Sequence, residues 1–194
     1  MIKIGILGDI GSGKSYVANN FGYPVFDADH EVSELYKKDQ KIFKKLKKKL
    51  PKYINSFPIK KKELKNAVLA KKKNLKKIEN IIHPEVQKNI KEFIKINKDK
   101  KILVFDIPLL LEKKIYNKKN MKLVFVEAKK KDIIKKLKKR KNYDEKIIKE
   151  FRSLQLPLEF KKKKSNYIVK NNFKRLNLKK HVKILKEKIL GIND

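Results

Sequence analysis

Apolar positions follow two rhythms along this chain. Short, nearly unbroken apolar runs fall at 2–7 (IKIGIL), at 24–27 ahead of two carboxylates (PVFDAD), at 101–108 (KILVFDIP), at 122–128 (KLVFVEA) and at 166–171 (NYIVKN). Such runs suit strands buried on both faces of a sheet. Between them, apolar residues recur every three or four positions. Val17, Ala18 and Phe21 form one such stripe; Leu64, Val68 and Leu69 a second; Leu75, Ile78, Ile81 and Ile82 a third; Leu176, Val182, Leu185 and Ile189 a fourth. These are helical faces. From about 29 to 97 the pattern is helical, interrupted at LPKYINSFP by Pro51 and Pro58. HPEVQKNIKEFIKI reads as the start of a separate helix, with Pro84 in its first turn, where a missing N–H costs nothing. DIIKKLKKR and DEKIIKEFRSLQ are helical, and Asp144 is a candidate N-cap for the latter. Strands alternate with helices, and a long helical stretch follows the second strand. The expected fold class is therefore α/β: a parallel sheet with helices on both faces and a helical insertion.

Composition narrows the possible functions. A chain of 194 residues fits one domain with small insertions. It has no cysteine, which excludes disulfides and cysteine–zinc sites, and its three histidines show no metal-ligand spacing. No apolar run approaches the roughly 18 residues of a membrane helix. MIKIGILG lacks the layout of a signal peptide and runs straight into a glycine-rich motif, so the expected location is cytoplasmic. The net charge is +34, and all but three of the 55 basic residues are lysine. Grooves that read phosphates and bases draw on the planar fork of arginine. A lysine excess spread over the whole chain, with abundant isoleucine and asparagine, reads instead as the imprint of an AT-rich genome. Its field attracts polyanions without selecting among them.

The candidate chemistry begins at GDIGSGKSY. Residues 8–15 match G-x-x-x-x-G-K-S between an apolar strand and a helix, the context this phosphate-binding motif requires. The glycines let backbone N–H groups close around phosphate oxygens. Lys14 would reach the β- and γ-phosphates and Ser15 would hold Mg²⁺. Asp9 is an acid inside this loop. Its side chain is expected to turn from the nucleotide, leaving only backbone to line the loop.

Three further residues have two readings each. Asp27 and Asp29 end the second strand, and two carboxylates two apart on an extended segment point the same way. Asp29 either caps the next helix or orients an acceptor hydroxyl and takes its proton; beside the loop, the second is favoured. Asp106 ends ILVFD, either as a simple strand-end acid or as a water-mediated Mg²⁺ ligand. Arg140 follows a helix, either as a solvated helix end or as a cation neutralising the transferring phosphoryl group.

GILGDIGSGKS, VFDAD, KNAVLAKKKNLKKIENIIHPEV, VFDIPLLLE, KLVFVEA and LQLPLEFKKKKSNYIVKNN resemble, in order and spacing, the dephospho-CoA kinases. The loop is common to many kinases. His83-Pro84, Pro108-Leu109-Leu110 with Glu112, and Gln155 ahead of SNYIVKN are more specific. The resemblance implies a phosphate-loop nucleoside-triphosphate hydrolase fold. Its core would comprise 1–28, 98–130 and 156–194, with a helical substrate-binding insertion at 29–97 and a short lid at 131–155. It implies transfer of the ATP γ-phosphate to the ribose 3′-hydroxyl of dephospho-CoA, with ATP and Mg²⁺ and without a specific nucleic acid or a membrane. It implies that Gly11, Ser12, Gly13, Lys14, Ser15 and Tyr16 bind the nucleotide, with Asn171 near the adenine. Asp29, His83 and Lys61 would lie on the acceptor side; His83 also reads as a helix cap. Arg140 would be the lid arginine.

The chain departs from the family pattern in particular places. Asp9 replaces a glycine, and Tyr16 stands where threonine is common. Lys61 and Lys136 occupy positions often held by arginine, keeping charge but losing the fork. Arg152 stands one position away from the family's usual arginine before Gln155. Two other functions compete with this one: a kinase for another small molecule such as a nucleoside monophosphate, and a basic nucleic-acid binder with a vestigial loop.

Overall fold

The structure, a computed structural model, describes residues 1–112, 121–141 and 143–192. Residues 113–120 and 193–194 of the expected core, and residue 142 of the expected lid, lie outside the described residues. Five strands form one sheet: β1 (Ile2–Gly8), β2 (Val25–Asp27), β3 (Ile102–Asp106), β4 (Met121–Glu127) and β5 (Tyr167–Lys170). They lie in the order β2-β3-β1-β4-β5, and every pairing is parallel. Sequence reading places all five strands to within two residues at each end.

The chain divides into two compact units. The first comprises Met1–Asp27, Asn97–Tyr143 and Arg152–Asp194. It contains the sheet, α1 (Lys14–Asn19), α6 (Lys130–Lys138), α8 (Leu158–Lys164) and α9 (Arg175–Leu190). One face of the sheet offers Ile4, Ile6, Val104, Val124, Val126 and Val169, packed against Val17, Ala18 and Phe21 of α1 and Leu178, Val182 and Leu185 of α9. Alternation sends Leu103, Phe105, Leu123 and Phe125 to the other face, where α8 packs on β1 and β4. Every residue of β3 is buried, as a strand covered on both faces must be.

The second unit comprises Ala28–Ile96 and Asp144–Phe151. It holds α2 (Ala28–Lys38), α3 (Gln40–Lys49), α4 (Lys61–Ala70), α5 (Lys72–Ile96) and most of α7 (Glu145–Ser153). Asp144 caps α7 as expected, its Oδ1 accepting from the Ile147 N–H at 3.2 Å. The Lys65 ammonium, 2.7 Å away, and that N–H hold the Asp144 carboxyl below the usual aspartate range.

Three expectations are corrected. No new helix begins at His83-Pro84: α5 runs unbroken through Pro84. Leu75, Ile78, Ile82, Val86 and Ile90 are buried in one register on both sides of the proline. Burying five such side chains contributes roughly 1.5–3 kcal/mol each, which outweighs the roughly 3 kcal/mol that an interior proline costs. Asp29 is not on an extended segment, because α2 already begins at Ala28. Asp27 is thus a strand residue and Asp29 a first-turn helix residue. Leu69 and Leu176 are exposed, at 42% and 76%, and Ala67 and Leu178 fill those helices' buried positions instead.

Candidate active site

The glycine-rich loop is built by β1, α1 and the turn between them. Ser12 donates its N–H to the Asp9 carbonyl at 3.1 Å, and Val17 donates to the Gly13 carbonyl at 3.0 Å. Gly13 has φ 93°, a left-handed backbone that favours glycine, and a β-carbon there would collide with the Asn171 amide. Asn171 is itself buried at the end of β5. Its Nδ2 donates to the Ser12 carbonyl at 2.7 Å, and its Oδ1 accepts from the Phe173 N–H at 2.7 Å. Both ends of this amide are thus engaged by protein, so Asn171 braces the loop from behind.

Lys14 lays its ammonium over the loop, donating to the Asp9 carbonyl at 2.8 Å and to the Gly8 carbonyl at 3.4 Å. Ser15 is exposed at the second position of α1. Tyr16 points elsewhere: its ring packs against the sheet core, and its hydroxyl is buried without a hydrogen-bond partner among the described residues. Asp106 is buried at the C-terminal end of β3, in register with Asp27. Because β3 lies beside β1, Ser15 and Asp106 supply hard oxygen donors from neighbouring ends of the sheet. That donor set suits Mg²⁺, which takes one or two protein oxygens and keeps several waters. Arg140 is exposed just past α6, its N–H donating to the Leu137 carbonyl at 3.0 Å.

The acid in the loop has a partner that the sequence left unassigned. Arg152 grips Asp9 with two bonds, Nε to Oδ1 at 3.2 Å and Nη2 to Oδ2 at 3.0 Å. The Ile10 N–H adds a third to Oδ1 at 2.7 Å. The carboxylate is therefore neutralised, while its backbone carbonyl serves Lys14. A fork matched to a carboxylate is a task lysine performs poorly. One signal in the sequence pointed to this pair: a carboxylate inside a phosphate loop needs a cation, and arginine is rare in this chain. We expect Arg152→Ala to weaken nucleotide binding by about fivefold, because it leaves a partly buried carboxylate without its cation in the phosphate loop. In an Asp9→Gly background the same substitution should cost little. Steady-state kinetics on the four variants of this cycle check it, and an equal loss in both backgrounds would contradict it.

A cavity of about 480 Å³ adjoins the loop; its lining includes Asp9, Ser12, Glu127, Arg152, Gln155 and Lys162. Lys162 bonds Glu127 at 2.6 Å, which raises the lysine's pKa above its ordinary value. Nearby, Lys161 is buried with its ammonium 2.8 Å from Glu112 Oε1 and 3.1 Å from the Gln155 side-chain Oε1. Glu112 Oε1 also accepts from the Leu156 N–H at 2.9 Å. The motif residues Glu112 and Gln155, far apart in sequence, thus meet on one ammonium.

The remaining candidates belong to the helical unit. Asp29 is exposed in the first turn of α2, where an acid also suits the helix dipole. Lys61 is exposed and opens α4. His83 is half-buried on α5, its Nε2 buried without a hydrogen-bond partner among the described residues.

A parallel sheet in this order, with G-x-x-x-x-G-K-S joining its first strand to its first helix, defines a phosphate-loop nucleotide-binding protein. The sequence profile of the dephospho-CoA kinase family matches residues 2–176. The chain belongs to that family, whose members are phosphotransferases acting on a hydroxyl group. It is similar to the dephospho-CoA kinase of Wolbachia pipientis wMel, 37% identical over 171 residues that cover 86% of this chain and 87% of the relative. Its fold is similar to that of a crystallised Thermus thermophilus protein, with a TM-score of 0.75 and 25% identity, covering all of this chain and 98% of the other. It is also similar in fold to a dephospho-CoA kinase from Campylobacter jejuni, with a TM-score of 0.65 and 24% identity, covering 97% of this chain and 98% of the other.

Proposed function

We propose that the chain transfers the γ-phosphate of ATP to the ribose 3′-hydroxyl of dephospho-CoA, giving coenzyme A and ADP. The observation that carries this is the phosphate loop. It is formed between β1 and α1, braced by Asn171 and relieved of the Asp9 charge by Arg152, in a chain of this family. The backbone N–H groups of Gly11–Ser15 and the Lys14 ammonium bind the β- and γ-phosphates. Ser15 and Asp106 would hold Mg²⁺, which neutralises phosphate charge when bound. Arg140 offsets charge that develops on the transferring group. Asp29 orients the 3′-hydroxyl and accepts its proton as the new O–P bond forms and the bond to the leaving ADP oxygen breaks. His83 and Lys61 contact the acceptor.

No described helix is long and apolar enough to cross a membrane. We place the enzyme in the cytoplasm, with ATP and dephospho-CoA as its small-molecule partners and no specific nucleic acid. The test is ADP release with dephospho-CoA or with each of a panel of nucleoside monophosphates as acceptor. Turnover with dephospho-CoA alone is expected. Turnover with a monophosphate and none with dephospho-CoA would overturn the proposal.

A further inference from the structure

Phe173 is the one non-glycine residue with positive φ among the described residues, at 62°. A side chain in this left-handed region is strained, and a bulky aromatic is an uncommon occupant. Glycine would hold the same turn without penalty. The turn is firmly determined all the same. Phe173 donates its N–H to the Asn171 side chain at 2.7 Å, and Lys174 donates to the Asn172 side chain at 3.0 Å. Strain maintained by its surroundings in this way points to a use for the side chain.

The use is legible from where the ring stands. Phe173 is only half-buried and contributes nothing to the sheet core. Its Cε1 lies 3.9 Å from the point where a β-carbon on Gly13 would stand, so the ring flanks the phosphate loop itself. The Lys136 ammonium lies over the ring, 5.6 Å from its centroid. Lys136 is exposed on α6. An aromatic face beside a phosphate loop, covered by one exposed lysine, is a stacking surface for a nucleobase.

We propose that Phe173 is a specificity-determining residue of the donor site. The purine of the bound nucleoside triphosphate stacks on the face of its ring that Lys136 covers, and the lysine stem shifts to lie over the base. This rests on the reading that Gly11–Ser15 hold ATP. It assigns to Phe173 the base contact that the sequence had led one to seek at Asn171, whose amide is already spent on the loop and on Phe173.

The chain has no tryptophan, so Phe173→Trp introduces a single indole, which is excited selectively at wavelengths the chain's seven tyrosines do not absorb. The full chain carrying it is titrated with ATP and with inorganic tripolyphosphate, which has the phosphates but no base. Quenching by ATP and none by tripolyphosphate is expected. Calorimetry on Phe173→Gly should show ATP binding about fivefold weaker or more, with tripolyphosphate binding unchanged. Equal effects on the two probes would make Phe173 a mere support of the loop and overturn the proposal. Unaltered ATP affinity in Phe173→Gly would overturn it as well. A wild-type chain that binds neither probe would instead remove the phosphate-loop reading beneath it.

Discussion

Lys14→Ala lowers the rate of phosphoryl transfer by about a hundredfold or more. The expectation follows from the loop's construction. The backbone of 8–15 is fixed by glycine geometry, by the Asp9 and Gly13 carbonyl bonds and by Asn171, none of which needs the Lys14 side chain. Removing the ammonium takes away its bonds to the Gly8 and Asp9 carbonyls and the one side-chain cation of the loop, while these other supports remain. That charge counts most where negative charge accumulates, on the oxygens between the β- and γ-phosphates as their bond breaks. The loss should fall more on kcat than on ATP binding, since the backbone N–H groups still hold the phosphates. Single-turnover kinetics with unchanged thermal stability check this. A variant that keeps a third of the wild-type rate would exclude Lys14 from the chemistry.

Asp29→Asn should lower kcat by about a hundredfold to ten-thousandfold, the range associated with loss of a positioned general base. Asparagine keeps the shape and most of the hydrogen bonding of the side chain but cannot accept the hydroxyl proton. Asp29 is exposed in the first turn of α2, with no buried packing role to lose. The KM for ATP should stay within about twofold, because uniform binding of the donor is untouched. Near-wild-type kcat in Asp29→Asn would show that the residue serves the helix start alone.

The sheet was readable in the sequence because buried parallel strands leave a local signature. Four apolar residues before Asp106 cannot be placed in many ways. The phosphate loop was readable for the same reason: its geometry depends on glycines at fixed offsets. What could not be read depended on partners distant in sequence. The continuity of α5 through Pro84 rests on buried contacts with α3 and α4, which outweigh a strong local signal. The partner of Asp9 lies on α7, and family spacing argued against Arg152 because it stands one position out of register. The two bonds to Asp9 balance a charge that sequence spacing does not pair. The motif drew attention to Asn171 as a residue near the adenine, whereas its bond to the Ser12 carbonyl depends on where that carbonyl falls in space. Buried Lys161 was lost in a run of four lysines, two of them exposed and one half-buried, that no sequence pattern separates.

The position of one phosphate on the product tests the proposed transfer most directly. The chain should be incubated with ATP and dephospho-CoA, and the product examined by phosphorus NMR and mass spectrometry. A new phosphomonoester on the ribose 3′-oxygen, formed in equal amount with ADP and lost in Lys14→Ala, is the predicted result. Phosphate appearing elsewhere on the acceptor, or ATP consumed without an acceptor product, would contradict it.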